Sequence, residues 1–438
     1  MSAFAASSPS LRENSSFLRL FAAQAVSLAG SGITTVALAL LVRELAGPLA
    51  AAAILGQALT LRILAFLVFS QPAGILADRM NRKYLLVASD LARFALMAAF
   101  PFITTVWQVY VAVFLVNALT AFFTPAYESS LPEITGDSYT KTLAYSRVAI
   151  DMEAIAGPVL AGVLVAIVGL HWVFWVDAAS YLVSAALVMS VDIPVRSTQA
   201  VQRLGLWEQL GHGTRVLFRQ PAIRQALMMS LAEAIAGACA IVVTVVYVRD
   251  VLMGSTLAFT LVMAGVGVGS SVTAVLLGRR TSRLERAATT TQEVHWIRHR
   301  WSSRAILGGG ILTIVSLVWG FLRPPLSVFA GLWVMNGAGQ ALVAIPSSTL
   351  VAEHTSEDER GRAFAAHFAW THASWLVAYP LAGHLASSIG PGAAFSVCGV
   401  LCALILLAAL LLGGGNEPAH GSHEPNNTEW RQNETQNV

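Results

Sequence analysis

The chain has 438 residues and a formal net charge of +3; it is 56% hydrophobic, only 12% charged, and has a mean hydropathy of +0.65. A soluble domain with so little charge would expose too much apolar surface to stay dispersed, so the composition excludes a water-soluble globular protein. It leaves an integral membrane protein: a helical span needs roughly 20 predominantly apolar residues, and backbone polar groups in lipid must be satisfied within the segment.

Apolar windows between polar punctuation predict twelve spans, near 17–42, 49–71, 84–104, 106–128, 148–168, 172–191, 222–248, 257–277, 305–322, 326–349, 363–388 and 393–412. They lack the alternation of a membrane barrel. The expected fold class is therefore an all-α membrane protein with two six-helix bundles, 17–191 and 222–412. A cytoplasmic arm (1–16), a central cytoplasmic loop (192–221) and a polar tail (413–438), expected to be disordered, complete the chain. Lys and Arg set the orientation. With the N-terminus cytoplasmic, 22 of the 27 fall on the cytoplasmic side, against Arg43, Arg249 and Arg323 outside and Arg62 and Arg93 within spans. Both termini are thus expected in the cytoplasm of a bacterial inner membrane, with no cleavable signal peptide. The small positive net charge reports this topology, and no nucleic-acid partner is implied.

In chain order, the first candidate site residue is Arg62, near the middle of span 2, which needs an anionic or carbonyl partner; Glu233, Asp151 and Glu153 match it in depth. The loop after span 2 reads Gly74-Ile-Leu-Ala-Asp78-Arg79-Met-Asn81-Arg82-Lys83. Gly74 is expected to let helix ends approach closely. Asp78 is expected to face the N-terminus of a neighbouring helix, and Arg79, Arg82 and Lys83 to hold the turn at the cytoplasmic face. Asn81 is expected to tolerate a left-handed backbone. Asp90 and Arg93, spaced i, i+3, are expected to pair structurally.

Asn117 in span 4 is followed by Pro125 and a Ser-Ser pair, and Asn336 in span 10 by Pro346 and another, a weak internal repeat of two halves in which both Asn are expected to line the central cavity. Span 5 carries Asp151 and Glu153 on nearly opposite sides, so at most one faces a central cavity. It also holds Gly157-Pro158-Val-Leu-Ala161-Gly162, where small residues permit tight helix contact. Asp177 is expected to be solvated near the outer end of span 6. Glu233, about eleven residues into span 7, is a midplane carboxyl suited either to proton carriage or to packing. Span 11 is rich in His367, His372 and His384, interspersed with Trp370, Thr371, Trp375 and Tyr379. Imidazoles there could move protons or ligate Ni, Zn, Cu or Fe, although no two are spaced i, i+4. Cys239, Cys398 and Cys402 fall within spans and imply no disulfides.

The loop 2–3 motif resembles the major facilitator signature G-x-x-x-D-R-x-G-R-R/K, with Asn81 in place of its second Gly. The span 5 stretch resembles the G-P-x-x-G-G antiporter motif. This resemblance covers all twelve spans. It implies paired six-span halves rocking about a central site, a signature loop that controls the cycle without touching substrate, and export. Tyr145–Glu153 and Ala365–Gly383 look like segments of nickel-resistance permeases, which implies a nickel or cobalt cargo with His367 and His372 as ligands. The tail departs from those permeases in keeping only His420 and His423. The competing cargo is an amphipathic drug, macrolide or siderophore stacking on Trp370, Trp375 and Tyr379; a non-transporting scaffold or sensor is the remote alternative. No P-loop or nucleophile–base constellation appears in the sequence, so the expectation is a monomeric, cofactor-free, proton-coupled carrier and not an enzyme. Its expected partners are lipid, protons and a small solute or metal ion. A basic segment between spans 8 and 9, with His295 and His299, is expected to lie on the anionic leaflet.

Overall fold

The computed structural model describes residues 14–135, 139–193, 206–287, 291–355 and 357–413. Within some helices many side chains, those of Asp78, Arg79 and Asp151 among them, lie outside that description. The described residues fold as helices joined by short turns. Among the described residues, nine helices are long and apolar enough to cross a membrane. The first of them holds two spans, because Ser15–Arg79 breaks at Gly47, whose φ of 72° is open to glycine at little cost. Tyr139–Val168 and Glu357–Ile389 complete the twelve. Glu357–Ile389 is the less apolar of the two, carrying three histidines and several Trp, Thr and Ser residues.

Spans 1 and 2 are thus 15–46 and 48–79, followed by span 3 (Arg82–Ala99), span 4 (Val106–Thr135), span 5 (Tyr139–Val168) and span 6 (Leu170–Met189). Span 7 starts as the α-helix Pro221–Ala238 and continues to Val251 through two π-helical stretches, Cys239–Val243 and Tyr247–Val251. Such widened turns had no signal in the sequence pattern. Spans 8 to 12 are Thr256–Ala287, Thr291–Val318, Leu326–Glu353, Glu357–Ile389 and Pro391–Gly413.

The central loop is not wholly a loop. Leu206–Arg219 is a helix docked on span 11: a Cβ at Gly213 would meet the Arg362 carbonyl, and His212 Nε2 lies 3.2 Å from Glu359 Oε1. Spans 8 and 9 also extend into the basic segment, which is therefore largely helical. The side chains of His295 and His299 lie outside the described ones.

Twelve spans place the start of span 1 and the end of span 12 at one face, here called proximal, and the Gly47 break at the opposite, distal face. The halves meet closely near the distal face. Cβ atoms built on Gly56 and Gly383 would each stand 2.5 Å from a backbone oxygen of the opposing span, Tyr379 or Ala52, so spans 2 and 11 cross backbone on backbone. Span 5 meets span 8 where Gly162 faces Thr260. Ala53 N–H donates to Ser387 Oγ at 3.2 Å, and Arg43 makes a two-bond ion pair with Asp250. Inside the distal end of the second half, Tyr247, Phe329, Trp333 and Phe395 pack as a buried aromatic cluster.

Candidate functional site

Arg62, Glu153, Glu233, His372 and Trp375 stand far from their helix ends yet are only partly buried. A charged group held there in lipid would be costly, so these side chains face a space between the halves. Electrostatics join them across it. The Arg62 charge reaches Glu153, His372 and Tyr379, and Glu233 reaches Tyr379. Arg62 has no hydrogen bond or ion pair among the described residues, so the partner expected for it is near but not bonded. Trp375 and Tyr379 rings lie 5.1 Å apart. The Trp375 ring also covers Gly237 of span 7, beside Gln340 of span 10. Gln340 escaped the sequence reading, although an uncharged amide within an apolar span was a signal that could have found it.

Several expected positions are occupied otherwise. Asn336 is fully buried, donating to Ser316 Oγ at 2.8 Å and accepting from Gln340 Nε2 at 2.6 Å, so it ties spans 9 and 10 instead of lining the cavity. Asn117 donates to the Val113 carbonyl of its own helix at 2.7 Å. Trp370 is turned to the surface helix, with its indole N–H 3.2 Å from Thr214 Oγ1 and its ring edge-on to Phe218. It is therefore not stacked with Trp375 and Tyr379. His367 is held by Ser347 of span 10, Nε2 to Oγ 3.0 Å. The His372 ring stacks on Phe368, with Nδ1 2.9 Å from that residue's carbonyl. Among the described residues, no group of three or more His, Cys, Asp or Glu is placed to hold a metal ion. The Asp151 side chain lies outside the description.

Asp177 corrects the expectation of a solvated carboxylate. It is 1% exposed, accepting from Thr34 Oγ1 at 2.5 Å and Ser180 Oγ at 3.2 Å. A position eight residues from a helix end is exposed only if no neighbouring helix covers it, and span 1 does. Asp90 and Arg93 do pair in the buried wall, with Ser184 donating to Asp90 at 2.7 Å and the guanidinium lying over the Phe123 and Tyr181 rings.

In the signature loop, Arg82 Nη1 donates to the Ser129 carbonyl at 3.0 Å and to Glu133 Oε1 at 2.6 Å, fastening span 3 to the end of span 4. Asn81 is not left-handed. Its φ is −64°, and its side chain accepts from the Lys83 N–H at 3.0 Å, which makes it the N-cap of span 3. A Cβ at Gly74 meets nothing within 4 Å, so the expected close approach is absent in this arrangement. The Asp78 and Arg79 side chains lie outside the description. In span 5, Pro158 is buried and Gly157 faces Gly32 of span 1, while Gly162 faces the other half. The motif thus lies at two helix crossings.

Comparison with known proteins agrees with this architecture. An uncharacterized MFS-type transporter, YfiS, of Bacillus subtilis is 25% identical over 80% of this chain and 81% of its own. Macrolide efflux protein A of Streptococcus pyogenes is 30% identical over 41% of this chain and 45% of its own length, and the multidrug efflux pump Tap of Mycolicibacterium fortuitum 31% over 49% and 54%. The chain therefore spans about half of each of those two efflux proteins. Among solved structures, an inward-facing bacterial homolog of the lysosomal transporter Spinster superposes with a TM-score of 0.68 at 14% identity, covering 91% of this chain and 95% of its own. The nucleoside transporter NupG gives 0.69 at 13%, covering 91% and 99%. With residues 20–291 and 295–435 matching the family, this multi-pass membrane protein belongs to the Major Facilitator Superfamily.

Proposed function

We propose that this chain is a proton-coupled exporter of amphipathic organic compounds, macrolides among them, in its inward-open state. The positive-inside rule puts the termini in the cytoplasm, which makes the distal face external. The observation that carries the reading is the closure of that face by Arg43–Asp250 and the glycine crossings, above a cavity with ionisable groups from both halves. Trp375, backed by the buried Tyr379, offers a ring to an apolar body, Gln340 a hydrogen-bonding amide, and Glu233 a carboxylate for a cargo amine. Carboxyls in such a cavity also exchange protons, so a proton entering from outside can drive cargo out by favouring one state of the cycle.

The similarity to macrolide and multidrug efflux proteins supports an organic cargo. A nickel or cobalt cargo, implied by the resemblance of spans 5 and 11, finds no converged ligand set around His367 and His372 among the described residues. The test is uptake by cells expressing the protein. They should retain less radiolabelled macrolide than empty-vector cells. A protonophore or Asp78→Asn should remove the difference. Cells that exclude nickel and accumulate macrolide normally would overturn the organic cargo, and insensitivity to the protonophore would overturn proton coupling.

A further inference from the structure

Two glycines in span 1 open space for two carboxyls from different helices. A Cβ on Gly30 would stand 2.2 Å from Asp177 Oδ1, and one on Gly32 2.9 Å from Glu153 Cγ. Between and beside these glycines, Ser31 Oγ lies 3.1 Å from the Tyr181 hydroxyl and Thr34 donates to Asp177. The run Gly30-Ser31-Gly32-Ile33-Thr34 is therefore fitted around Asp177 of span 6 and Glu153 of span 5.

Their surroundings differ in a way that suits transfer. Asp177 is sealed from water and has hydroxyl donors but no ion pair among the described residues. Glu153 is partly open to the cavity and feels both Asp177 and Arg62. The charged and titratable groups around Asp177 are Glu153 from span 5, Arg93 from span 3 and Tyr181 on its own helix. Arg93 is 2% exposed and committed to Asp90 through Nη2, and its buried Nε has no partner, so its charge is only partly consumed by that pair. Arg62 from span 2 completes the set on the cavity side. Spans 5 and 6 join at Gly169 on the distal face, eight residues from Asp177 and sixteen from Glu153. Asp177 meets Gly30 and Thr34, and Glu153 meets Gly32 between them, so both carboxyls flank the same turn of span 1.

We propose that Asp177 and Glu153 are the coupling-proton site of the first half, Asp177 holding the proton away from water and Glu153 exchanging it with the cavity. The proton leaves the Asp177 carboxyl, the Glu153 carboxylate takes it up, and water in the cavity accepts it. Arg62, unbonded here, is the cation that the emptied Glu153 attracts.

This inference rests on the proton-coupled reading, and its test separates the two. Purified protein in detergent is titrated while infrared bands of protonated carboxyls are followed, a measurement that needs no cargo. The same protein in liposomes is assayed for macrolide accumulation driven by a pH gradient. Asp177→Asn and Glu153→Gln should each remove titrating carboxyl intensity and abolish gradient-driven accumulation. Thr34→Val, which deletes only a hydroxyl donor, should displace the titration midpoint and guards against a folding defect in the carboxyl variants. Carboxyl bands that persist in both variants overturn the proposal, whether or not accumulation is lost. Bands that vanish as expected in a protein that moves no macrolide uphold the site and refute the macrolide cargo.

Discussion

Arg43 and Asp250 come from opposite halves, 207 residues apart, and the guanidinium Nε–H donates to Asp250 Oδ2 at 3.0 Å while Nη2 bonds Oδ1. Their side chains are 24% and 21% exposed, so water screens the pair but does not dissolve it. Exposed ion pairs contribute about 0.2–1 kcal/mol, and bidentate charge-assisted geometry is stronger. We take about 1–2 kcal/mol, a factor of roughly 5–30 in an equilibrium constant. The pair joins the halves only when the distal face is shut, so Asp250→Asn should move the population toward the distal-open state by that factor. The assay is spin-label distance measurement after Leu49→Cys and Met253→Cys, which are 84% and 81% exposed near that face in opposite halves. The native Cys239, Cys398 and Cys402 are fully buried. A longer-distance population should grow in Asp250→Asn and shrink again when Arg43→Asp is combined with Asp250→Arg. An unchanged distribution in Asp250→Asn, or a charge swap that restores nothing, would refute the reasoning.

Other expectations concern packing and the signature loop. Gly157→Val should lower thermal stability by about 1–3 kcal/mol, since a Cβ there already stands 2.9 Å from the Gly32 backbone; Gly74→Ala, facing open space, should leave the melting temperature unchanged or slightly higher. Arg82→Ala strands Glu133 in a half-buried site and should cost about 1–3 kcal/mol in unfolding experiments. Nickel tolerance of expressing cells should be the same for the wild type and His372→Ala, and a selective loss in the variant would return the histidine to a ligand role.

What the sequence disclosed follows from the range over which each signal acts. Spans are legible because lipid imposes a local requirement on about 20 consecutive residues, and even Asp90–Arg93 could be paired from spacing on one helix. Contacts between distant helices left no such trace. Arg43 reads as one more loop charge until Asp250 is placed beside it, and Asp177 reads as solvated until Gly30 of span 1 covers it. Span 11 misled through abundance: its polar side chains point several ways, His367 to Ser347, Trp370 to the surface helix and Trp375 to Gly237. Asn81 shows the same limit at short range, because αL tolerance and N-capping are both Asn habits and only the backbone angle separates them.

The crossing of spans 2 and 11 has a bearing on how cargo preference can diverge among proteins of this design. At Gly56 and Gly383 the touching surfaces are peptide groups, whose shape is the same whatever amino acids flank them. Trp375, Gln340 and Glu233 are not part of that contact, so exchanging them retunes what the chamber accepts while the exit still shuts equally well. A single methyl group on either glycine would do the reverse, leaving the chamber's chemistry intact and wedging its door.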